Sequence, residues 1–421
     1  MKKIGIVICN YNKRDYVIKC IETVLESEFT DFDIFVVDNA SEDDSVDAIQ
    51  KIYGGKVTVL QNPENLGGSG GFNRGIREVL ERGYSYLCCL DNDVQVTPKA
   101  IGALYEFLEA NPGVGMAGSK VYHLQKPDYV QQMGLNIHFD TFSAETLYAD
   151  VLDHKDIPEV VYCDTVAACS LMMPVKVVRQ VGMMPQDNFI YWDDMEWGYC
   201  VKQAGYQVAA VGASKVFHEM SANVRRENTF STYYLWRNNL NFYMKYTPRE
   251  KWEAMSFVLL RAVFDAIYES MYRGEHNVGR TIQYAFFDAL MGVRGKAGEG
   301  KILVNDGNAE KMQRILDSVQ KIYIEDVCNL GLQEAICKLS PNMEFVEPEQ
   351  AQVKFRSCPF VMNVKDTSLE YIYIDEAWNV LADQEDLEVA QNYGYSLQLF
   401  LYMHQDTFLM QTKKLQEKSK E

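Results

Sequence analysis

Ten cysteines are present, but no CxxC pair occurs and their spacings form no even framework, which argues against a disulfide scaffold. Cys88 and Cys89 stand side by side in an apolar run, as small buried hydrophobes do. A reducing compartment is expected. No uncharged apolar stretch approaches the roughly 20 residues that span a bilayer, and the opening MKKIGIVICNYN has too short an apolar run for a signal-peptide core. Positive charge is scarce: 41 Lys and Arg face 59 Asp and Glu, for a net charge of −18. A broad nucleic-acid surface needs basic patches and is excluded. Neither G-x-G-x-x-G nor a Walker A sequence occurs, which removes the nicotinamide-dinucleotide fingerprint and the P-loop. These absences leave a cytoplasmic globular protein.

What is present is length and alternation. The 421 residues, 47% of them hydrophobic, can build two or three domains with real cores. Ile4–Cys9, Ile34–Val37, Val57–Leu60 and Tyr86–Leu90 read as strands buried on both faces. Between them lie helical patterns, Val17–Leu25, Val46–Ile52 and the segment led by Gly67–Gly71 that carries Phe72, Ile76 and Val79. This is a doubly wound α/β layout, in which ligands sit beyond the carboxyl ends of the strands. The polar clusters NYN, DNAS, NPENLGG and DND each follow a strand, as that rule requires. Residues 229–290 read as aromatic-rich helices, GVRGKAGEGK (292–301) as a linker, and 301–410 as a smaller α/β unit containing VCNLGLQEAICKL, FVMNV and YIYIDEAWNVL. The charged tail after Met410 is expected to fray.

Several clusters could carry chemistry, each beside a plainer explanation. Asp91-Asn92-Asp93, delivered by a strand, could share a divalent cation with diphosphate oxygens, or form an Asx-type turn. NPENLGGSGGFNRG (62–75) could offer Asn65, Gly67, Gly68, Asn73 and Arg74 to a phosphate at a helix N-terminus, or need its glycines only for close packing. Asp38 and Asn39 could meet a base or sugar, and Asn10, Tyr11 and Asn12 could set a ring against a flat ligand. His218 is a ligand candidate or a structural histidine. FIYWDDMEWG (189–198) places Asp193, Asp194 and Glu196 among aromatic rings, where ionised carboxylates need compensation.

Taken together, VICNYN, VVDNASEDDS, NLGGSGGFNRG, CLDNDV, FIYWDDMEWG and VFHEM resemble, in order and spacing, the family-2 inverting glycosyltransferases of GT-A fold, over roughly residues 1–245. The WDDxEWG form and YYLWRNNLNFY are most similar to the rhamnosyltransferase and galactofuranosyltransferase branch, which builds cell-surface polysaccharides. The resemblance implies a Rossmann-like nucleotide-sugar domain at 1–245; beyond it, the residue pattern reads as a helical extension and linker at 246–300 and a small C-terminal α/β unit of unknown role at 301–421. It implies an Mg2+ or Mn2+ site of Asp93, His218 and Asp91, and a catalytic base at Asp194. Donor contacts would come from Asn10, Tyr11, Asn12, Asp38, Asn39, Asn65, Gly67, Gly68, Asn73, Arg74, Asp91 and Asn92. Acceptor contacts would come from Trp192, Asp193, Glu196 and Trp197.

The implied reaction moves a rhamnose- or galactofuranose-like sugar from a UDP or dTDP donor to a saccharide or lipid-linked acceptor in one inverting displacement. The setting is cytoplasmic, with room for peripheral contact at the inner membrane's cytosolic face and for a homo-oligomer. The competing expectation is a sugar-nucleotide-binding scaffold of a polysaccharide assembly complex; a nucleotidyltransferase ranks third, for want of a basic, glycine-rich loop after the first strand. One departure favours the scaffold: where many relatives have Gly-Leu-Arg after the acidic cluster, this chain reads Gly198-Tyr199-Cys200, with Lys202 the nearest cation.

Overall fold

A computed structural model describes residues 2–219, 228–305, 311–325, 331–364, 368–375 and 378–418. Met220 of the VFHEM motif, residues 327–330 of VCNLGLQEAICKL and residues 376–377 of YIYIDEAWNVL lie outside them. The chain divides into two compact units. The first holds the described residues of Met1–Arg226, Tyr234–Thr247 and Met291–Glu299; the second holds those of Glu227–Tyr233, Pro248–Leu290 and Gly300–Glu421.

In the first unit, β1 (Ile4–Asn10), α1 (Arg14–Leu25), β2 (Phe32–Asp38), α2 (Ser45–Tyr53), β3 (Val57–Gln61), α3 (Gly67–Arg82) and β4 (Tyr86–Asp91) follow in the alternation expected. Then come β5 (Val94–Val96), α4 (Ala100–Ala110), β6 (Val114–His123), β7 (Tyr129–Gln132), β8 (Leu135–His138), β9 (Ser143–Thr146), β10 (Val151–Leu152), β11 (Val160–Cys163), β12 (Ser170–Pro174) and α5 (Val175–Val181). α6 (Asp193–Gln203), β13 (Gln207–His218) and α7 (Phe230–Tyr246) follow, the last joining this unit from Tyr234 onward. The main sheet runs β10-β7-β6-β12-β4-β1-β2-β3, with β13 beside β6, β11 and β5. β1 is parallel to β2 and β4, and β2 to β3.

Alternation along the strands builds a core on each face of the sheet. Ile4, Ile6, Ile8, Cys88 and Leu90 pack on one side, and Val7, Phe35, Leu87 and Cys89 on the other. The adjacent cysteines therefore point to opposite faces, and burial pushes the Cys88 thiol up to about 12. All nine described cysteines are free thiols. Because β1, β2 and β4 run parallel, their polar ends Asn10, Asp38 and Asp91 gather at one sheet edge.

The second unit contains α8 (Trp252–Tyr272), α9 (His276–Met291), α10 (Lys311–Asp317), β14 (Lys321–Glu325), α11 (Leu332–Leu339), β15 (Glu344–Phe345), β16 (Val353–Ser357), β17 (Ile372–Ile374), β18 (Val380–Leu381) and α12 (Gln384–Lys418). Its sheet has the order β15-β14-β16-β17-β18, parallel except for β18. The apolar stripe of α8 packs inward through Met255, Leu259, Leu260 and Val263, and none of the described helices is long and apolar enough to cross a membrane.

Three boundaries differ from the sequence expectation. α8 and α9 cluster with the C-terminal unit instead of forming a separate extension. The glycine-rich segment 292–299 is tied into the first unit, where Arg237 donates to the Gly295 carbonyl at 2.7 Å and Gly295 N–H to Asp187 at 2.6 Å. The tail after Met410 does not fray there: α12 continues to Lys418 because Phe408, Gln411 and Thr412 are buried.

Candidate active site

β4 ends at Asp91, and β5 begins one residue beyond Asp93, where Val94 is registered against His218 on antiparallel β13. That pairing brings a histidine distant in sequence to the acidic turn. One ligand atom from each of Asp91, Asp93 and His218 lies within 4.8 Å of the others. His218 Nε2 is 3.3 Å from Asp93, while its Nδ1 lies 2.8 Å from Oε1 of buried Gln131. With Nδ1–H donating to that amide oxygen, Nε2 is the nitrogen that faces the carboxylates, donating to Asp93 in the charged ring and able to ligate a cation in the neutral one. Two carboxylates and one imidazole nitrogen suit a divalent cation of the Mg2+ or Mn2+ kind. Lys13 Nζ lies 2.6 Å from Asp93, within the same charge cluster.

The electrostatics separate the two aspartates. Burial, reinforced by Asp93, pushes Asp91 up to about 6. Asp93 is also desolvated, yet the His218 bond and the His218 and Lys13 charges overcome burial and hold it at about 2. His218 is raised, its burial outweighed by the Asp93 bond and the two aspartate charges.

The segment entering α6 has backbone that non-glycine residues adopt at a cost. Phe189, Tyr191 and Trp192 have φ of 67°, 63° and 65°, each worth about 1–3 kcal/mol of strain. The cost is met by a clamp: Asn238 Nδ2 donates to the carbonyls of Asn188, Ile190 and Tyr191 at 2.9, 2.9 and 3.0 Å. Arg237 adds a bond to Asn188 O at 3.1 Å, and Arg294 one to the Asn188 side chain at 2.7 Å. From the other side, a Cβ on Gly67 would stand 2.1 Å from the Phe189 carbonyl oxygen, and Gly67 has φ +76°. Glycine is required there by close approach.

The clamped segment delivers Asp193 and Asp194 into the first turn of α6, where the helix dipole favours carboxylates. Asp194 accepts from the Met195 and Ala168 N–H groups at 2.8 and 3.3 Å, but burial outweighs them and raises its pKa. Asp193 accepts from Ser69 Oγ at 2.8 Å; burial and the neighbouring Asp194 push it up to about 7. Gly198 lets α6 approach Thr165, whose Oγ1 would lie 2.3 Å from an added Cβ and donates to the Asp194 carbonyl at 2.7 Å. A cavity of about 400 Å³ joins the two groups, its lining including Asp91, His218, Trp192, Asp193, Asp194 and Gly68. The Trp192 ring lies 5.2 Å from Phe242 and 5.8 Å from Tyr243.

The donor-side candidates form a chain along the sheet edge. Asn92 donates to Asn10 at 2.9 Å, and Asn10 to Asp38 at 3.2 Å. Asn39 donates to Asn65 at 3.0 Å and to the Gly67 carbonyl at 2.9 Å, and Asn12 accepts from Glu42 N–H at 2.7 Å. Tyr11 is 43% exposed at this edge. Other candidates are turned elsewhere. Gly67 N–H is taken by Asn65 at 2.8 Å and Ser69 N–H by Phe189 O at 3.3 Å, so part of the expected phosphate cradle is occupied by the fold. Asn73 is buried and donates to the Met184 carbonyl at 2.8 Å, and Arg74 pairs with Glu78 at 2.8 Å.

Two expected acceptor residues are absent from the cavity wall. Trp197 is 1% exposed and donates its indole N–H to Gly182 at 3.0 Å. Glu196 is buried and bound by Lys245 at 2.7 Å, Tyr246 at 2.8 Å and Asn188 at 2.9 Å; despite burial, Lys245 and Arg294 hold its pKa down. One turn further along α6 than the Asp193-Asp194 pair, both meet the interior instead of the pocket. Lys202 is paired with Asp164, so the cations beside the acidic helix come from Lys245 and Arg294.

The family model for glycosyl transferase family 2 matches residues 5–167. The chain is 24% identical over 206 residues to the galactofuranosyltransferase GlfT2 of Mycobacterium tuberculosis, covering 44% of this chain and 31% of that protein. It is 27% identical over 109 residues to the Escherichia coli UDP-Glc:alpha-D-GlcNAc-diphosphoundecaprenol beta-1,3-glucosyltransferase WfaP, covering 26% of this chain and 42% of that one. Among solved structures, GalNAc-T7 with UDP, GalNAc and Mn2+ aligns with a TM-score of 0.49 at 12% identity, covering 62% of this chain and 50% of that one. The chain thus spans less than half the length of either relative. The segment that matches the family-2 glycosyltransferase model carries the first three strand-end clusters and the acidic turn.

Proposed function

We propose that the protein is a metal-dependent inverting glycosyltransferase that moves a rhamnose- or galactofuranose-like sugar from a UDP or dTDP donor to a saccharide or lipid-linked acceptor. The observation that carries this is the shared cavity, whose lining includes Asp91 and His218 together with Asp193 and Asp194. The galactofuranosyltransferase relatives and the WDDMEW sequence support the choice of sugar class.

The donor lies along the edge formed by Asn10, Asp38, Asn39 and Asn92, with Tyr11 beside the base. A divalent cation held by Asp91, Asp93 and Nε2 of His218 would supply Lewis-acid neutralisation of the departing diphosphate. Asp194, made more basic by burial, takes the proton of the acceptor hydroxyl as its oxygen attacks the anomeric carbon. The bond to the diphosphate breaks on the opposite face as the new bond forms, so the anomeric configuration inverts. Trp192 supplies a flat apolar wall for the acceptor and Asp193 a polar contact.

A thermal-shift panel of nucleoside-diphosphate sugars, with and without Mn2+, tests the proposal. A melting-temperature rise with one donor class only in the presence of the cation is expected. Absence of any response would contradict it. Cation-dependent binding without turnover on any acceptor would favour the scaffold.

A further inference from the structure

We propose that the second unit forms a twofold-symmetric dimer through antiparallel pairing of α12 with its copy in a second chain. α12 is 35 residues long and buries one face, including Tyr393 and Phe408, in its own unit. The opposite face exposes large side chains to solvent: Tyr395 is 72%, Leu399 47% and Tyr402 87% exposed. Tyr395, Leu399, Tyr402 and Asp406 follow one another on that face at steps of four, three and four residues, as in a helix–helix seam, and Glu388 and Lys413 stand one heptad beyond either end. Exposed apolar residues on a repeating seam mark a contact surface, unlike scattered ones.

The sequence of this line identifies the occupant. About a midpoint between Leu399 and Tyr402 it is complementary to its own reverse. In an antiparallel pair, Leu399 of one copy meets Tyr402 of the other at the centre. Tyr395 then meets Asp406, an O–H donor against a carboxylate, and further out Glu388 meets Lys413. Each contact occurs twice, as an isologous interface requires. Parallel pairing would oppose Glu388 to Glu388, Asp406 to Asp406 and Lys413 to Lys413. Glu388 and Asp406 on the seam, in a chain of net charge −18, disfavour an anionic lipid surface as the occupant. Among the described residues Lys413 makes a 3.9 Å contact with Glu417 in its own helix, long enough to leave it able to turn toward a second copy.

Sedimentation velocity of the full chain over a concentration series tests the assignment, with far-UV circular dichroism to confirm folding. The wild type is expected to pass from monomer to dimer. Tyr402→Asp, at a position too exposed to support the fold, should weaken the dimer at least about tenfold. Glu388→Lys and Lys413→Glu should each weaken it several-fold, and the double exchange should restore it. A wild-type chain that stays monomeric, a Tyr402→Asp dimer of unchanged strength, or a double exchange no better than the single ones would overturn the proposal.

Discussion

Gln131 Oε1 lies 2.8 Å from Nδ1 of His218, and this contact decides which ring nitrogen faces Asp93 and Asp91. In Gln131→Leu the ring loses the partner that fixes its tautomer and orientation. Mn2+ affinity, read by isothermal titration, should fall about tenfold or more, while the far-UV spectrum stays the same. Unchanged affinity would remove Gln131 from the account of the site.

Lys13 contacts the same carboxylate from the opposite sense. Its ammonium, 2.6 Å from Asp93, competes with any cation for that oxygen. Lys13→Met should bind Mn2+ several-fold more tightly than the wild type in the absence of donor, a modest gain because Lys13 is partly exposed. Weaker binding would mean that the lysine supports the site instead of competing for it.

Asn238 satisfies three carbonyls of a strained segment at once. Replacement by leucine removes the donor that these carbonyls share, with Arg237 still bonded to Asn188 O, and loosens the backbone that aims Asp193 and Asp194. Urea denaturation should show a loss of about 2–4 kcal/mol. Turnover should fall more than donor affinity, since the donor edge is carried by other elements. An equal loss in both would indicate general unfolding.

The Asp193 carboxyl gives a pH signature. Its folded value, about 7, lies above the ordinary 3.8 because of burial and Asp194. The folded state therefore keeps the proton longer than the unfolded chain, so this group's contribution is full below about pH 4 and is lost as pH rises through about 7. Asp193→Asn, which mimics the protonated form, should flatten that decline and melt higher than the wild type at pH 7 and above in the absence of added metal. A decline of unchanged slope would contradict the assignment.

The sheet and its ligand edge were legible because uninterrupted apolar runs at β1, β2 and β4 admit few alternatives, and parallel pairing then carries Asn10, Asp38 and Asp91 to one end. The Asp91, Asp93 and His218 grouping was legible only through the family resemblance, since the register of β5 with β13 that joins them is not a local property. What escaped the sequence was backbone strain and its remedy. Nothing in FIYW announces three left-handed residues, and nothing in the helical stretch that holds Arg237 and Asn238 announces their bonds to residues 188–191. Glu196 and Trp197 were drawn to the acceptor pocket by adjacency in sequence, whereas a single helical turn carries them into the interior. The glycines of 292–299 suggested freedom, yet the carbonyl and N–H of Gly295 are both bonded in the first unit.

The role of Asp194 is tested most directly by Asp194→Asn, assayed for donor binding by calorimetry and for transfer by product formation under identical conditions. Donor affinity should stay within about twofold, while transfer falls by about 10²–10⁴-fold or disappears. Normal turnover in Asp194→Asn would contradict the assignment of the catalytic base.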